Sequence, residues 1–338
     1  MVGFHLRLPV LVQLASALVA WRAGEVGAAG AAKETPSSRL CMHAAHVTTE
    51  SLRKYSEKHF GAAIHGISNL SPGTDKALAD LAGSLTGASM NSACNGGRGG
   101  CEISQTTKMI PHRRLCGNDW PPFGFTMVGI IRLINVAQLI SNVVRTGVQG
   151  DFAELGVWRG GTCIFAQRLF GVLEPSKTRM IHVFDAFESL PGYGGNSAFL
   201  ENSAADVREN FEVMGAMSKH VKFHVGLFQQ TTKAFQTEHD VTNTRLAILR
   251  IDGNFYDSYQ DALYRMYEYV PVGGYVIFDD VMSHAAVMRC WEDFKADQGL
   301  PETLTRIDKH SAYFQKIADT RIDPTKEHPA QDVNKKYR

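Results

Sequence analysis

Three aspartates carry the strongest chemical signal in this sequence. Asp252 follows the apolar run 246–251 (LAILRI), and Asp279-Asp280 follows the apolar run 275–278 (YVIF). Between the runs, Ala262, Leu263, Met266, Tyr269 and Val270 recur at helical spacing over 258–270, and Pro271 with Gly273-Gly274 stops the helix. A strand–helix–strand unit of this length makes a right-handed crossover between parallel strands. Both strands then end on one edge of a sheet, so the three carboxylates converge where open α/β sheets bind their ligands. Such a trio repels itself unless something positive sits among it. Hard oxygen donors in that arrangement suit Mg²⁺ or a similar cation. Plain capping of buried strands is the competing reading, and three acids at such ends favour a site over it.

A second group lies upstream. Residues 150–157 (GDFAELGV) read as a strand, followed by Trp158-Arg159-Gly160-Gly161 and a helix over 162–173. A strand, glycine turn and helix form the place where a doubly wound sheet accepts a nucleotide-like ligand. Glycines there admit a close backbone approach, and the helix start offers free N–H groups. The spacing of Glu154, Gly156 and Gly160 is not the dinucleotide G-x-G-x-x-G pattern. The next strand, 180–184, ends in Asp185, placed to accept hydrogen bonds from ribose hydroxyls. Residues 187–191 (FESLP) then lead into PGYGGNS, a candidate lid.

The remaining elements must position these groups. An amphipathic helix over 128–146 presents Ile131, Ile134, Val136, Leu139, Ile140 and Val143 on one face, ending before Gly147 and Gly150. A helix over 205–214 precedes a strand at 221–225. A last helix, 285–297, precedes a closing pair of strands at 304–307 and 312–316. The fold expected is α/β, a doubly wound, mostly parallel Rossmann-like sheet with an N-terminal extension. The divisions are a targeting segment (1–30), a weakly structured extension (31–118), a catalytic domain (119–320) and a polar tail (321–338).

Length and composition bound the rest. The 338 residues, 44% hydrophobic, suffice for one large domain, and a formal charge of +1 gives no electrostatic case for a nucleic-acid partner. The apolar run 9–21 between Arg7 and AGEVGAAGAA is laid out as a secretory signal. A short anchor or an organelle signal competes with it, a cytoplasmic location is the alternative, and no firm membrane contact is expected. Cys41, Cys94, Cys101 and Cys116 lie in the N-terminal third, where two disulfides or free thiols are both open readings. Asn69-Leu70-Ser71 is a formal glycosylation acceptor followed by Pro72.

Over residues 125–316 the chain resembles the macrocin-type (TylF-like) sugar O-methyltransferases, which use S-adenosylmethionine and Mg²⁺. The stretches that carry the resemblance are TMVGIIRL, GDFAELGVWRGGTCIFA, FDAFESLP, VRENF, VKFHVGLF, LRIDGNFYDSYQDAL, VGGYVIFDDV and the RID…AYFQK end. The resemblance implies a class I methyltransferase sheet. It implies that Thr126, Met127, Glu154, Gly156, Trp158, Arg159, Gly160, Asp185 and Ser189 line the S-adenosylmethionine pocket, with Asp185 on the ribose. It also implies that Asp252, Asp279 and Asp280 are metal ligands, Asp252 doubling as proton acceptor. This chain departs from the typical D-G-D and LYEST: it has Asn254 after the glycine, and FYDSY, with Asp257 replacing a Glu.

The chemistry expected is therefore methyl transfer to a sugar or other vicinal polyol on a small molecule, with homo-oligomerisation left open. An aspartate with an ordinary pKa of about 3.9 is a poor base for an alcohol, so a metal must do most of the activation. Asp252 or His284 would take the proton, although a lone histidine is more often structural. Cys163 reads as packing. A catechol-type methyltransferase, a metal-dependent hydrolase and a non-catalytic binding protein are the alternatives.

Overall fold

The computed structural model describes residues 124–188 and 200–329, together with 81, 82, 85, 86 and 117. The targeting segment, the four N-terminal cysteines, Asn69, Ser189 and the whole PGYGGNS loop lie outside the described residues. Among the described residues no helix is long and apolar enough to cross a membrane.

Seven strands form one sheet: β1 (Asp151–Leu155), β2 (Ile181–Asp185), β3 (Val221–Val225), β4 (Leu246–Ile251), β5 (Tyr275–Phe278), β6 (Thr305–Arg306) and β7 (Ala312–Gln315). Their order is β3-β2-β1-β4-β5-β7-β6. The first five are parallel, while β7 runs antiparallel to both β5 and β6. The order reverses between β1 and β4, which opens the ligand crevice at their carboxyl ends. Central β4 is buried at all six positions, as a strand covered on both faces requires.

Helices α1 (Ile130–Thr146), α2 (Gly161–Leu173) and α3 (Ala204–Val213) pack on one face, burying Ile131, Leu169 and Phe211 against Phe152 and Ile248. On the other face, α4 (Phe228–Glu238), α5 (Tyr256–Met266) and α6 (Ala285–Gln298) bury Phe235, Leu263 and Trp291 against Leu249 and Phe278. Four helices and all seven strands sit within a residue or two of their expected positions, and the helix expected over 258–270 is α5, continued by a 3-10 turn from Tyr267 to Tyr269. The helix α4 has no counterpart in the sequence reading. Its sequence, FQQTTKAFQTE, turns two threonines inward. Their hydroxyls are satisfied within the helix: Thr231 donates to the Leu227 carbonyl (3.1 Å) and Thr232 to that of Phe228 (2.6 Å). A polar residue that bonds its own helix can stand in an apolar stripe, which hides the period.

The glycine turn after β1 presses directly on β4. Gly156 has φ 87°, and a Cβ there would overlap the carbonyl oxygen of Asp252. Gly156→Ala should therefore destabilise the protein by about 2 kcal/mol or more in urea unfolding, with strain and overlap both contributing. An unchanged midpoint would refute this close approach.

Beneath the other face lies a histidine cluster. His182 Nδ1 is 3.1 Å from His224 Nε2, and His224 stacks on Phe184 with centroids 3.9 Å apart. Burial, then His182, Lys222 and His239, pushes the His224 imidazole down to about 3. Asp151, 3.4 Å from His182 Nε2, is the carboxylate facing the group. An unfolded histidine titrates near 6.5, so below that pH the unfolded chain binds a proton that folded His224 refuses. Stability is complete above about 6.5 and should drain away as pH falls toward 3. His224→Phe should flatten the fall of Tm below pH 6.5, and an identical slope in wild type and variant would rule out His224 as its source.

Candidate active site

The ends of β4 and β5 bring Asp252, Asp279 and Asp280 together, with one oxygen of each within 4.8 Å of the others. The positive charge that such a trio requires is built into the protein. Arg250, the one charged residue in LAILRI, is fully buried. Its Nη1 donates to Glu154 Oε1 at 2.5 Å, and its Nη2 lies 3.1 Å from Asp252 Oδ2 and 2.8 Å from Asp279 Oδ1. A second guanidinium comes from the first turn of α1. Arg132 Nη1 reaches Asp279 Oδ2 at 2.7 Å, and its Nε reaches Asp308 Oδ2 at 2.8 Å. The β6–β7 hairpin adds Ser311 Oγ, which donates to Asp279 Oδ1 at 2.9 Å.

These contacts divide the three acids electrostatically. Burial opposes ionisation of Asp279, but Arg132, Arg250 and the Ser311 hydrogen bond outweigh it and hold the carboxyl below its usual range. Burial and the neighbouring Asp279 charge push Asp252 well above that range, with Arg250 only partly offsetting them. The same two causes raise Asp280 to about 6. The two arginines thus favour ionisation of Asp279 far more than of its two neighbours.

Around the glycine turn, backbone amides do the organising. Asp185 Oδ2 accepts from Val157 N (2.8 Å) and Trp158 N (3.2 Å), while its Oδ1 accepts from Phe187 N (3.0 Å). Asp185 thus ties the exits of β1 and β2 together, and burial still raises its carboxyl against those amides. Gly160, at φ 82°, caps α2 where a Cβ would crowd Val207 and Phe211 of α3. The segment 124–128 lies across the start of α2. Gly161 N donates to Phe125 O (2.9 Å), Arg159 Nη1 donates to Gly124 O (2.9 Å), and the Thr126 and Thr162 hydroxyls are 3.3 Å apart. Met127 follows in this same segment. The Arg159 guanidinium lies 4.2 Å over the Trp158 ring.

Glu154 departs from a pocket-lining position. It is 1% exposed, with Oε1 held by Arg250 and Oε2 accepting from Cys163 Sγ at 2.9 Å. It lies behind the crevice. Cys163 correspondingly does more than pack. His284 stands 4.0 Å from Asp280 Oδ2 with its side chain 48% exposed, a loose contact.

Four non-glycine residues among those described have left-handed backbone: Trp158, Phe187, Asn254 and Asp280, with φ between 50° and 58°. They follow β1, β2, β4 and β5, so all four strand exits that build this edge are strained. At Asn254 the asparagine that replaces an acid is a residue type that tolerates this conformation.

Arg250, Arg132, Asp308 and Ser311 were absent from the sequence reading. One signal was present: an arginine inside an otherwise apolar central strand must find buried partners.

Comparison with known proteins places the chain in a family. The Macrocin-O-methyltransferase (TylF) family matches residues 97–316, starting inside the segment read as an extension. Demethyldecarbamoylnovobiocin O-methyltransferase of Streptomyces niveus is 34% identical over 215 residues, covering 59% of this chain and 79% of its own. Mycinamicin III 3''-O-methyltransferase of Micromonospora griseorubida is 30% identical over 224 residues, covering 62% and 85% respectively. The solved O-methyltransferase NovP matches with TM-score 0.62 and 29% identity, covering 72% of this chain and 100% of its own. The chain therefore belongs to the TylF macrocin-O-methyltransferase family and is an S-adenosylmethionine-dependent O-methyltransferase.

Proposed function

We propose that this enzyme methylates a hydroxyl of a sugar or similar vicinal polyol on a glycosylated small molecule, with Mg²⁺ held by Asp252, Asp279 and Asp280. The observation that carries the reading is the carboxylate cluster at the carboxyl ends of β4 and β5, beside the glycine turn. The relatives' acceptors, a novobiocin and a mycinamicin precursor by name, support the substrate class. Family membership sets the hydrolase alternative aside.

The donor set fits a hard divalent cation. Three carboxylate oxygens converge, and burial together with the Asp279 charge opposes ionisation of Asp252 and Asp280, a penalty that a bound cation would offset. A bound Mg²⁺ would lower the pKa of the acceptor hydroxyl and fix neighbouring oxygens. The chain's own residues do the rest. The turn from Gly156 through Trp158 and Arg159 to Gly160 presents backbone to the cofactor. Asp185 keeps one acceptor site on Oδ1, beyond the three its amides use, for a ribose hydroxyl. Thr126 and Met127, in the segment across the start of α2, would complete that wall. Asp252 Oδ2 faces Arg250, which leaves Oδ1 to take the proton of the acceptor hydroxyl. Bound S-adenosylmethionine would supply the methyl group, its carbon–sulfur bond breaking toward sulfur as the deprotonated acceptor oxygen bonds to the methyl carbon. Orientation of this in-line displacement supplies roughly 7–11 kcal/mol of the barrier.

Calorimetry and a methyl-transfer assay over glycosylated acceptors test the assignment. Metal-free S-adenosylmethionine binding should weaken about tenfold to a hundredfold in Asp185→Ala, through loss of charge-assisted hydrogen bonds. Asp279→Ala should keep metal-free cofactor binding and lose Mg²⁺-dependent methylation. A folded wild-type protein that binds no S-adenosylmethionine would sink the cofactor assignment. Methylation unaffected by chelation would sink the metal.

A further inference from the structure

Arg250 touches both halves of the site at once. Glu154 on β1 is its direct register partner across the sheet, two residues before Gly156. Asp252 lies two residues beyond Arg250 on its own chain, and Asp279 follows β5. A guanidinium is a planar fork whose nitrogens cannot move independently. Nη1 is committed to Glu154 and Nη2 to Asp252 and Asp279. The far oxygen of Glu154 is held by Cys163 on α2, the helix that starts at Gly161. The main chain follows the same route: Asp252 N donates to Leu155 O at 2.7 Å, and Gly156 packs on the Asp252 carbonyl. The glycine turn and the carboxylate cluster form one mechanical unit.

We propose that Arg250 is a positioning residue through which cation binding and cofactor binding strengthen each other. This rests on the two subsites assigned above. Once Asp252 and Asp279 face a cation, the guanidinium's attraction falls on Glu154, which firms the end of β1 and the turn that follows it. Any such coupling is reciprocal: the cofactor must tighten the cation by the same factor. Its sign sets it apart from bare electrostatics. A dication and the sulfonium cofactor repel, so charge alone makes each weaken the other.

The test is calorimetric titration of full-length protein with S-adenosylmethionine, with and without Mg²⁺, for wild type, Arg250→Lys and Glu154→Gln. Circular dichroism checks folding. Mg²⁺ should tighten wild-type binding about fivefold or more, within the usual range of coupling. Lysine keeps the charge without the fork, and glutamine keeps the shape without the charge, so each should bring the factor below about twofold. A wild-type factor of one, or weakening by Mg²⁺, overturns the inference. So does a wild-type factor that persists in folded Arg250→Lys. If that variant does not fold, the wild-type factor and Glu154→Gln decide by the same criteria. Wild type that binds no S-adenosylmethionine at all overturns the cofactor assignment beneath it, whereas binding without coupling overturns this inference alone.

Discussion

The structure depends on one buried guanidinium shared by three carboxylates. In a low-dielectric interior, like charges cannot be brought within a few ångströms unless an opposite charge is fixed between them. Arg250 supplies it from below the edge, and Arg132 supplies a second from α1. Two arginines face Glu154, Asp252, Asp279, Asp280 and Asp308, and their placement decides which acids ionise easily. Asp279 touches both guanidiniums and stays charged; Asp252 touches one, and Asp280 neither. The breaking of a buried pair typically costs about 3–5 kcal/mol, because the abandoned charge stays buried. Such a network is hard to alter one residue at a time.

The irregular edge stands on a regular base. The central strands β4 and β5 are buried and covered on both faces by apolar side chains, while each exit that builds the crevice turns through left-handed backbone. Strain of about 1–3 kcal/mol per such residue persists only where the surroundings leave no alternative. Here they leave none. Asp185 holds the exit of β1 against that of β2, and Tyr259 Oη lies 2.8 Å from the Ile251 carbonyl and also against that of Asp279.

Much of this was legible in the sequence, for reasons that particular residues make plain. Uninterrupted apolar runs such as YVIF mark buried parallel strands, and the acids and glycines after them mark the edge. The convergence of Asp252 with Asp279 and Asp280 followed from topology alone. Most of what escaped depends on contacts distant in sequence. Arg132 looked like one polar position in an amphipathic helix, because its partners lie 147 and 176 residues away. Helix α4 escaped because Thr231 and Thr232 bury polar groups where the helical period calls for apolar ones. Glu154 was legible as a site residue by motif, yet burial puts it behind the crevice, a distinction that motif spacing does not encode.

The hairpin formed by β6 and β7 has a consequence for the order in which this protein comes into being. Asp279 is held in part by Ser311, and Arg132 in part by Asp308, residues that follow the rest of the cluster in the chain. β7 also inserts between β5 and β6. A ribosome that has delivered everything through Asp280 has delivered every aspartate of the trio, yet the pocket wall beside Asp279 is still missing. During that interval of synthesis the cluster has lost one of its hydroxyl donors, and Arg132 has only one of its two carboxylates. The site can be finished only once Ser311 and Asp308 are available to the folding chain, so its completion depends on the last hairpin of the sheet.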